Sequence, residues 1–194
     1  MYLAWSADNV PVKAQTWLVR ALGLCWVGDV LLLYPGLFVP GLVAFLVAHL
    51  CYFTLLSMDA PLLSSRRSWV CFSLAGALMY AVLFFNGLPV EMRIPVGLYV
   101  MVIALMASQA WGRSVHLKDP ASWWTAVGAS VFMLSDSMLA IDRFISPLPY
   151  AGLWVLATYY VAQALMVSGV LRSLRQQAEL QKNPVTQFSQ FRNT

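Results

Sequence analysis

Charged residues are scarce in this sequence. Only 10% of its 194 residues are Asp, Glu, Lys or Arg, 60% are apolar, and the mean hydropathy is +0.71. A soluble domain carries about 25% charged residues and needs polar cover over its surface. The composition therefore excludes a soluble globular domain and predicts a protein embedded in a bilayer. The net charge of +4 is too small and too scattered to predict a nucleic-acid partner.

Metal ligands and nucleophile motifs are also lacking. The sequence has two histidines, His49 and His116, and three cysteines that all fall in apolar stretches without CxxC spacing. These numbers predict no disulfide framework, no multi-histidine metal site and no cofactor. A metal held by two aspartates and His49 is the one alternative left open. No GxSxG or Cys-His pattern is present.

What the sequence does contain is a series of apolar segments of membrane-spanning length, about 20 residues each. Pro, Gly and charged residues separate them. The sequence predicts an all-α, polytopic transmembrane bundle with six spans: Thr16–Tyr34, Phe38–Ser57, Ser68–Phe85, Arg93–Trp111, Trp123–Phe144 and Pro149–Leu171.

These spans divide the chain into a polar N-terminal segment (1–15), one transmembrane domain (16–171) and a polar tail (172–194). With the N-terminus in the cytoplasm, ten basic residues fall inside, and only Arg93 and Arg143 fall outside. This bias predicts that both termini are cytoplasmic. The ten inside are Lys13, Arg20, Arg66, Arg67, Arg113, Lys118, Arg172, Arg175, Lys182 and Arg192.

Two aspartates lie inside predicted spans. Asp29 occurs in GLCWVGDVLLL and Asp136 in GASVFMLSDSMLA, each about 13 residues from the predicted start of its span. A carboxylate at the centre of a membrane helix costs about 2.5–3.5 kcal/mol on insertion scales and marks a functional site by default. At one depth, the two carboxylates are expected to meet across a shared cavity, with pairing to a basic group as the structural alternative.

Further polar side chains recur at helical spacing. His49 and Tyr52 are three residues apart, Tyr159 and Gln163 are four apart, and Tyr99 lies in the fourth span. Such pairs lie on one face of a helix. We expect these residues to line a polar cavity, although a membrane histidine is often a structural hydrogen bonder.

Asp142 and Arg143 follow Asp136 by six and seven residues. Asp142 is expected off the face of Asp136, with an interfacial ion pair or a helix-end role. Arg143 lies nearly on the Asp136 stripe and about 10 Å further out. It is expected to contact a lipid phosphate, with simple snorkelling as the alternative.

The same residues carry a family resemblance. The segments WVGDVLLL, YPGLFVPGLVAFLVAHLCYF and SVFMLSDSMLAIDRFISPLPYAGLWVLATYYVAQALMVSGVLRS resemble the lysoplasmalogenase family, also called YhhN-like proteins, and most of all its vertebrate-type members. The order G-D, A-H-x-x-Y, S-D and T-Y-Y-x-A-Q extends from about Leu18 to Ser173. Family members usually have about eight spans, two of them before the G-D helix, where this sequence has some fifteen mostly polar residues.

The resemblance implies hydrolysis of the vinyl ether bond of lysoplasmalogens, which releases a fatty aldehyde and glycerophosphoethanolamine or glycerophosphocholine. It places the two essential acids at Asp29 and Asp136 and other characteristic positions at His49, Tyr52, Tyr159 and Gln163, with Asn often at the position of Asp142. The residues suit this chemistry, because a carboxylic acid can protonate the alkene and a carboxylate can stabilise the resulting cation, as in glycosidases.

The expected partners are therefore a lysophospholipid substrate and membrane lipids, with homo-oligomerisation left open. The expected location is a membrane of the endoplasmic reticulum in a eukaryote or the inner membrane in a bacterium. Two other functions are considered: a transporter in which Asp29, Asp136 and His49 relay protons or cations, and a catalytically inactive lipid-binding protein.

Overall fold

Six α-helices form the structure, a computed structural model that describes residues 10–182, with side chains to residue 180. The prediction of an all-α bundle is confirmed for this part of the chain. The helices are α1 (Val12–Leu32), α2 (Phe38–Leu56), α3 (Arg66–Phe85), α4 (Val90–Leu117), α5 (Pro120–Phe144) and α6 (Ala151–Lys182).

The helix ends follow from local chemistry. Lys118 ends α4 in a left-handed conformation (φ 57°), and Asp119 then caps α5 by accepting the Ser122 N–H at 2.7 Å. Pro at the first position of α5 loses no hydrogen bond there. Gly36 and Gly87 have positive φ in the turns after α1 and α3, where a side chain would be strained.

Five of the six helices, α2 to α6, are long and apolar enough to cross a membrane. The prediction of a multi-pass membrane protein is thus confirmed. The first helix has a suitable length of 21 residues, but it falls short of the same measure of hydropathy. The polar residues along α1, which include Lys13, Arg20 and Asp29, lower its mean hydropathy.

The two largest differences between the helices and the predicted spans are at the ends of α4 and α6. The helix α4 continues six residues beyond Trp111, so Arg113 and His116 lie on it and not in a loop. On this extension Arg113 is buried in an ion pair with Asp59. The polar tail is helical as far as Lys182, which is the end of α6. The predicted tail beyond that point and the first nine residues lie outside the described residues.

The arrangement places α4 centrally, with α2, α3 and α5 against it, while α1 packs on α2 and α6 packs on α5. The contact of α5 with α6 is especially close. A Cβ atom on Gly128 would lie 2.8 Å from the backbone nitrogen of Met166, and one on Gly169 would lie 2.7 Å from the carbonyl oxygen of Ala121. Small residues permit such close approach in membrane bundles.

Much of α3 faces outward. Val70, Leu74 and Leu78 are all exposed on it, as expected for a helix that meets lipid. The buried core instead joins the other five helices and includes Leu18, Met106, Phe132 and Met166. The site described next lies at one end of this core.

Candidate active site

A cavity of about 520 Å³ opens among the helices near the C-terminal ends of α1 and α5. Its wall is mostly apolar. We call it the aspartate cavity, because Asp29 and Asp136 both line it. Its polar lining residues are Asp29, Tyr99, Ser135, Asp136, Ser137, Asp142, Tyr159 and Tyr160.

Asp29 projects from α1 into the cavity and is partly buried. The hydroxyl of Tyr159, on α6, donates to its Oδ2 at 3.0 Å. The preceding Gly28 lies directly against Phe45 of α2, since a Cβ atom there would be 2.6 Å from the ring. Close packing of α1 on α2 thus fixes the position from which Asp29 extends.

Asp136 extends from α5, where the hydroxyl of Tyr99, on α4, donates to its Oδ2. The two neighbouring serines do not bond to this carboxylate. Ser135 donates to the carbonyl of Val155 at 2.9 Å, and Ser137 donates to that of Met133 at 2.8 Å. Asp136 therefore accepts from one tyrosine and from neither serine, just as Asp29 accepts from Tyr159.

A chain of hydrogen bonds leads from the core to Asp29. Tyr52 donates to Gln163 Oε1 at 2.6 Å, Gln163 Nε2 donates to the Tyr159 hydroxyl at 3.4 Å, and Tyr159 donates to Asp29. Tyr52 and Gln163 are buried and do not line the cavity. Every donor in the chain points towards the carboxylate, so the chain favours a negative charge on Asp29. The thiol of Cys25, which sequence reasoning left aside, is buried beside this chain.

His49 lies behind the cavity wall and not on it. Its ring is fully buried and makes edge contacts with Tyr99 and Phe132, whose centroids lie at 5.4 and 4.8 Å. Within the described part of the chain, neither ring nitrogen has a side-chain hydrogen-bond partner. His49 thus packs against Tyr99, which does line the cavity, and a role of His49 in the site stays a prediction.

Asp142 and Arg143 lie near the end of α5, at the rim of the cavity. Asp142 lines the cavity and accepts the Leu148 N–H through Oδ1 at 2.8 Å, so it has the expected helix-end role. It makes no ion pair with Arg143. The Arg143 guanidinium lies over the Phe38 ring at 5.2 Å, and Arg143 itself does not line the cavity, although Phe38 does.

Residues 10–182 contain no group of side chains arranged as a metal site. No three His, Cys, Asp or Glu side chains come together there in a way that could hold an ion. Of the residues that could contribute, Asp29 and Asp136 each accept a tyrosine hydroxyl, and His49 packs against the Tyr99 ring. What the cavity offers chemically is two carboxyl groups with tyrosine donors in apolar surroundings.

A second polar region, which sequence reasoning missed, lies at the other end of the bundle. Arg113 is 1% exposed and donates from Nε and Nη2 to both oxygens of Asp59 at 2.7 and 2.6 Å. It also donates to Ser173, which donates on to Asp119, while Gln177 donates to Asp59. We call these five residues the Arg113 cluster. The sequence feature that could have indicated this region is MDAP after α2, where an aspartate follows an apolar span.

The sequence of residues 1–170 matches the YhhN family. Among its relatives, lysoplasmalogenase TMEM86B of Mus musculus is 37% identical over 169 residues, which cover 84% of this chain and 67% of that protein. The Homo sapiens protein of the same name is 35% identical over 164 residues, with the same coverage. The lysoplasmalogenase of Mycobacterium tuberculosis is 35% identical over 178 residues, which cover 86% of this chain and 65% of that protein. This chain thus spans about two thirds of their length. No solved structure gives a significant match.

Proposed function

Because the chain belongs to the YhhN family, whose relatives above are named lysoplasmalogenases, we propose that it hydrolyses the vinyl ether bond of lysoplasmalogens. The observation that carries the proposal is the pair of carboxyl groups, Asp29 and Asp136, on the wall of one apolar cavity. Neither has a basic partner among the described residues, and each accepts a tyrosine hydroxyl. The structural alternative of pairing with a basic group therefore loses support.

The reaction requires one acid and one water molecule. Protonation of the alkene carbon remote from the ether oxygen gives an oxocarbenium-like cation. Water adds to the cationic carbon and loses a proton, which gives a hemiacetal. Its collapse breaks the carbon–oxygen bond to glycerol, releasing a fatty aldehyde and glycerophosphoethanolamine or glycerophosphocholine. No metal or redox cofactor is needed, and two carboxyl groups suffice for a related cation in glycosidases.

We assign the acid to Asp136 and the charged carboxylate to Asp29. Apolar surroundings favour a neutral carboxyl group, and the serines on either side of Asp136 are bonded to backbone carbonyls, so they do not offset this effect. One oxygen of Asp136 accepts from Tyr99, which leaves the other to carry the proton. Asp29 terminates a chain of aligned donors, which suits an anion that stabilises the cation and orients water.

The cavity suits a lipid with one hydrocarbon chain. Several of its apolar lining residues on α1 and α6 are also exposed on the outer surface, among them Trp26, Leu33 and Leu156. A lipid chain can therefore pass from the bilayer to the cavity without crossing water. Phe38 lines the cavity and the Arg143 guanidinium lies over its ring, which supports a contact of Arg143 with the phosphate of such a lipid.

The structure gives no support to a transporter. A transport path would need polar residues that continue from the aspartate cavity to the other end of the bundle. Buried polar side chains do lie between the two regions, among them Gln109 on α4 and Gln163 on α6. However, no hydrogen bond among the described residues joins the chain that ends at Asp29 to the Arg113 cluster. The cavity lining includes no member of the Arg113 cluster.

The direct test is aldehyde release by the purified protein in detergent or liposomes. A lysoplasmalogen is the substrate, and the matched lysophospholipid with an ester in place of the vinyl ether is the control. We expect fatty aldehyde from the first and no product from the second. Binding of both lipids without aldehyde release would instead identify an inactive lipid-binding protein, and cleavage of the ester would identify a different hydrolase.

A further inference from the structure

Asp142 is the third carboxylate of the aspartate cavity, and the proposed reaction does not use it. It lies six residues beyond Asp136 on α5, which is about 9 Å along the helix axis. Its position is therefore the rim, where a bound lipid would have its polar end and not its vinyl ether.

Only one oxygen of the Asp142 carboxylate has a structural role. Oδ1 accepts the Leu148 N–H and holds the turn after α5, whereas Oδ2 has no hydrogen-bond or ion-pair partner in the part of the chain that the structure describes. The adjacent cation does not neutralise it, because the Arg143 guanidinium is over the Phe38 ring. A negative charge thus stands free at the cavity rim.

We propose that Asp142 selects lipids by their headgroup, binding the cationic amine of ethanolamine or choline phospholipids at the cavity rim. In such a lipid, nine single bonds separate the ether oxygen from the amine nitrogen, a span of about 8–11 Å. A lipid with its vinyl ether beside Asp136 therefore brings its amine to Asp142. A headgroup without a cation, such as phosphoglycerol, has only negative charge to present there and is repelled.

This inference rests on the proposed function, but binding tests it separately. The variant Asp142→Asn keeps the Oδ1 acceptor for Leu148 and removes the charge, so the turn is preserved. Glu91→Gln is the matched control, since Glu91 lies in the first turn of α4, at the same end of the bundle, and does not line the cavity. Ester lysophospholipids with choline or glycerol headgroups serve as uncleaved ligands, and their stabilisation of the protein against heat reports binding.

For the wild-type protein, we expect choline to be preferred over glycerol by at least about fivefold in binding and in KM, which corresponds to ~1 kcal/mol. In Asp142→Asn the ratio should approach one, while Glu91→Gln keeps the wild-type ratio. A wild-type protein without headgroup preference, or an Asp142→Asn protein that retains it, would overturn the inference. A protein that shows the binding ratio but releases no aldehyde would contradict the proposed function and leave this inference standing.

Discussion

The two polar regions of this bundle differ in the partners that their carboxylates have. In the Arg113 cluster, Asp59 accepts from Nε and Nη2 of a buried guanidinium and from the side-chain amide of Gln177. In the aspartate cavity, Asp29 and Asp136 each receive one tyrosine hydroxyl and no cation among the described residues. The Asp59 carboxylate is thus held in an ion pair that joins the loop after α2 to α4, so the first region supports the fold. The second leaves oxygens free for a reacting molecule.

The largest effect should come from removing the acids of the cavity. We expect Asp29→Asn and Asp136→Asn each to lower aldehyde release by about 10²–10⁴-fold, because an amide neither donates an acidic proton nor stabilises a cation. Turnover of purified, detergent-solubilised protein measures this loss. Melting temperatures should stay near that of the wild type, since the substitution is nearly isosteric. Near-normal turnover by a folded Asp136→Asn protein would contradict the two-carboxylate mechanism.

A substitution in the Arg113 cluster should lower the stability of the fold and leave the catalytic reaction intact. Arg113→Met removes the cation and leaves Asp59 largely buried with weaker partners, at a cost of about 3 kcal/mol or more in folding free energy. We expect a clear fall in melting temperature and yield, with turnover per folded molecule within about threefold of the wild type. A loss of turnover as large as in the aspartate variants, without loss of stability, would show that the two regions are not distinct.

Smaller effects are expected along the hydrogen-bond chain to Asp29. A hydrogen bond to a charged group is worth about 1.5–3 kcal/mol and one between neutral groups about 0.5–1.5 kcal/mol. Tyr159→Phe should therefore reduce kcat by about 10–100-fold, and Tyr52→Phe, two links further from the carboxylate, by less than about tenfold. Steady-state kinetics of both variants measures the gradient. If the more distant tyrosine had the larger effect on kcat, the chain would not act through Asp29.

The smallest expected effect is that of chelators. EDTA or phenanthroline should leave turnover within about twofold of the untreated enzyme, because the proposed acid–base chemistry involves only side chains and water. Loss of activity that zinc alone restores would assign Asp29, Asp136 and His49 to metal binding.

Hydropathy and residue spacing predict much of this molecule. Apolar runs and their Pro and Gly breakers predict the six helices. The free-energy cost of a carboxylate inside a membrane helix identifies Asp29 and Asp136 as candidate functional residues. Helical spacing pairs Tyr159 with Gln163, which do belong to one hydrogen-bond chain. The orientation of the termini stays a prediction.

Contacts between distant segments could not be predicted in this way. The pairing of Asp59 with Arg113 joins a loop to a helix 54 residues later, and periodicity carries no information on such pairs. His49 shares a helix face with Tyr52, yet it turns to aromatic rings and not to the cavity. Asp142 is rotated away from Asp136 on an ideal helix, so helical spacing does not predict that both residues line the same cavity at the end of α5.

The paired glycines between α5 and α6 have a consequence for how the cavity changes shape. Gly128 lies against the backbone of α6 and Gly169 lies against that of α5, so the two helices that carry Asp136 and Tyr159 pack tightly on each other. The relative geometry of these two groups is then insensitive to the size of a guest molecule. A longer or bulkier hydrocarbon chain is then accommodated by the other helices that line the cavity. One of them, α1, reaches α6 through the side chains of Asp29 and Tyr159, so a movement of α1 changes the length of that hydrogen bond.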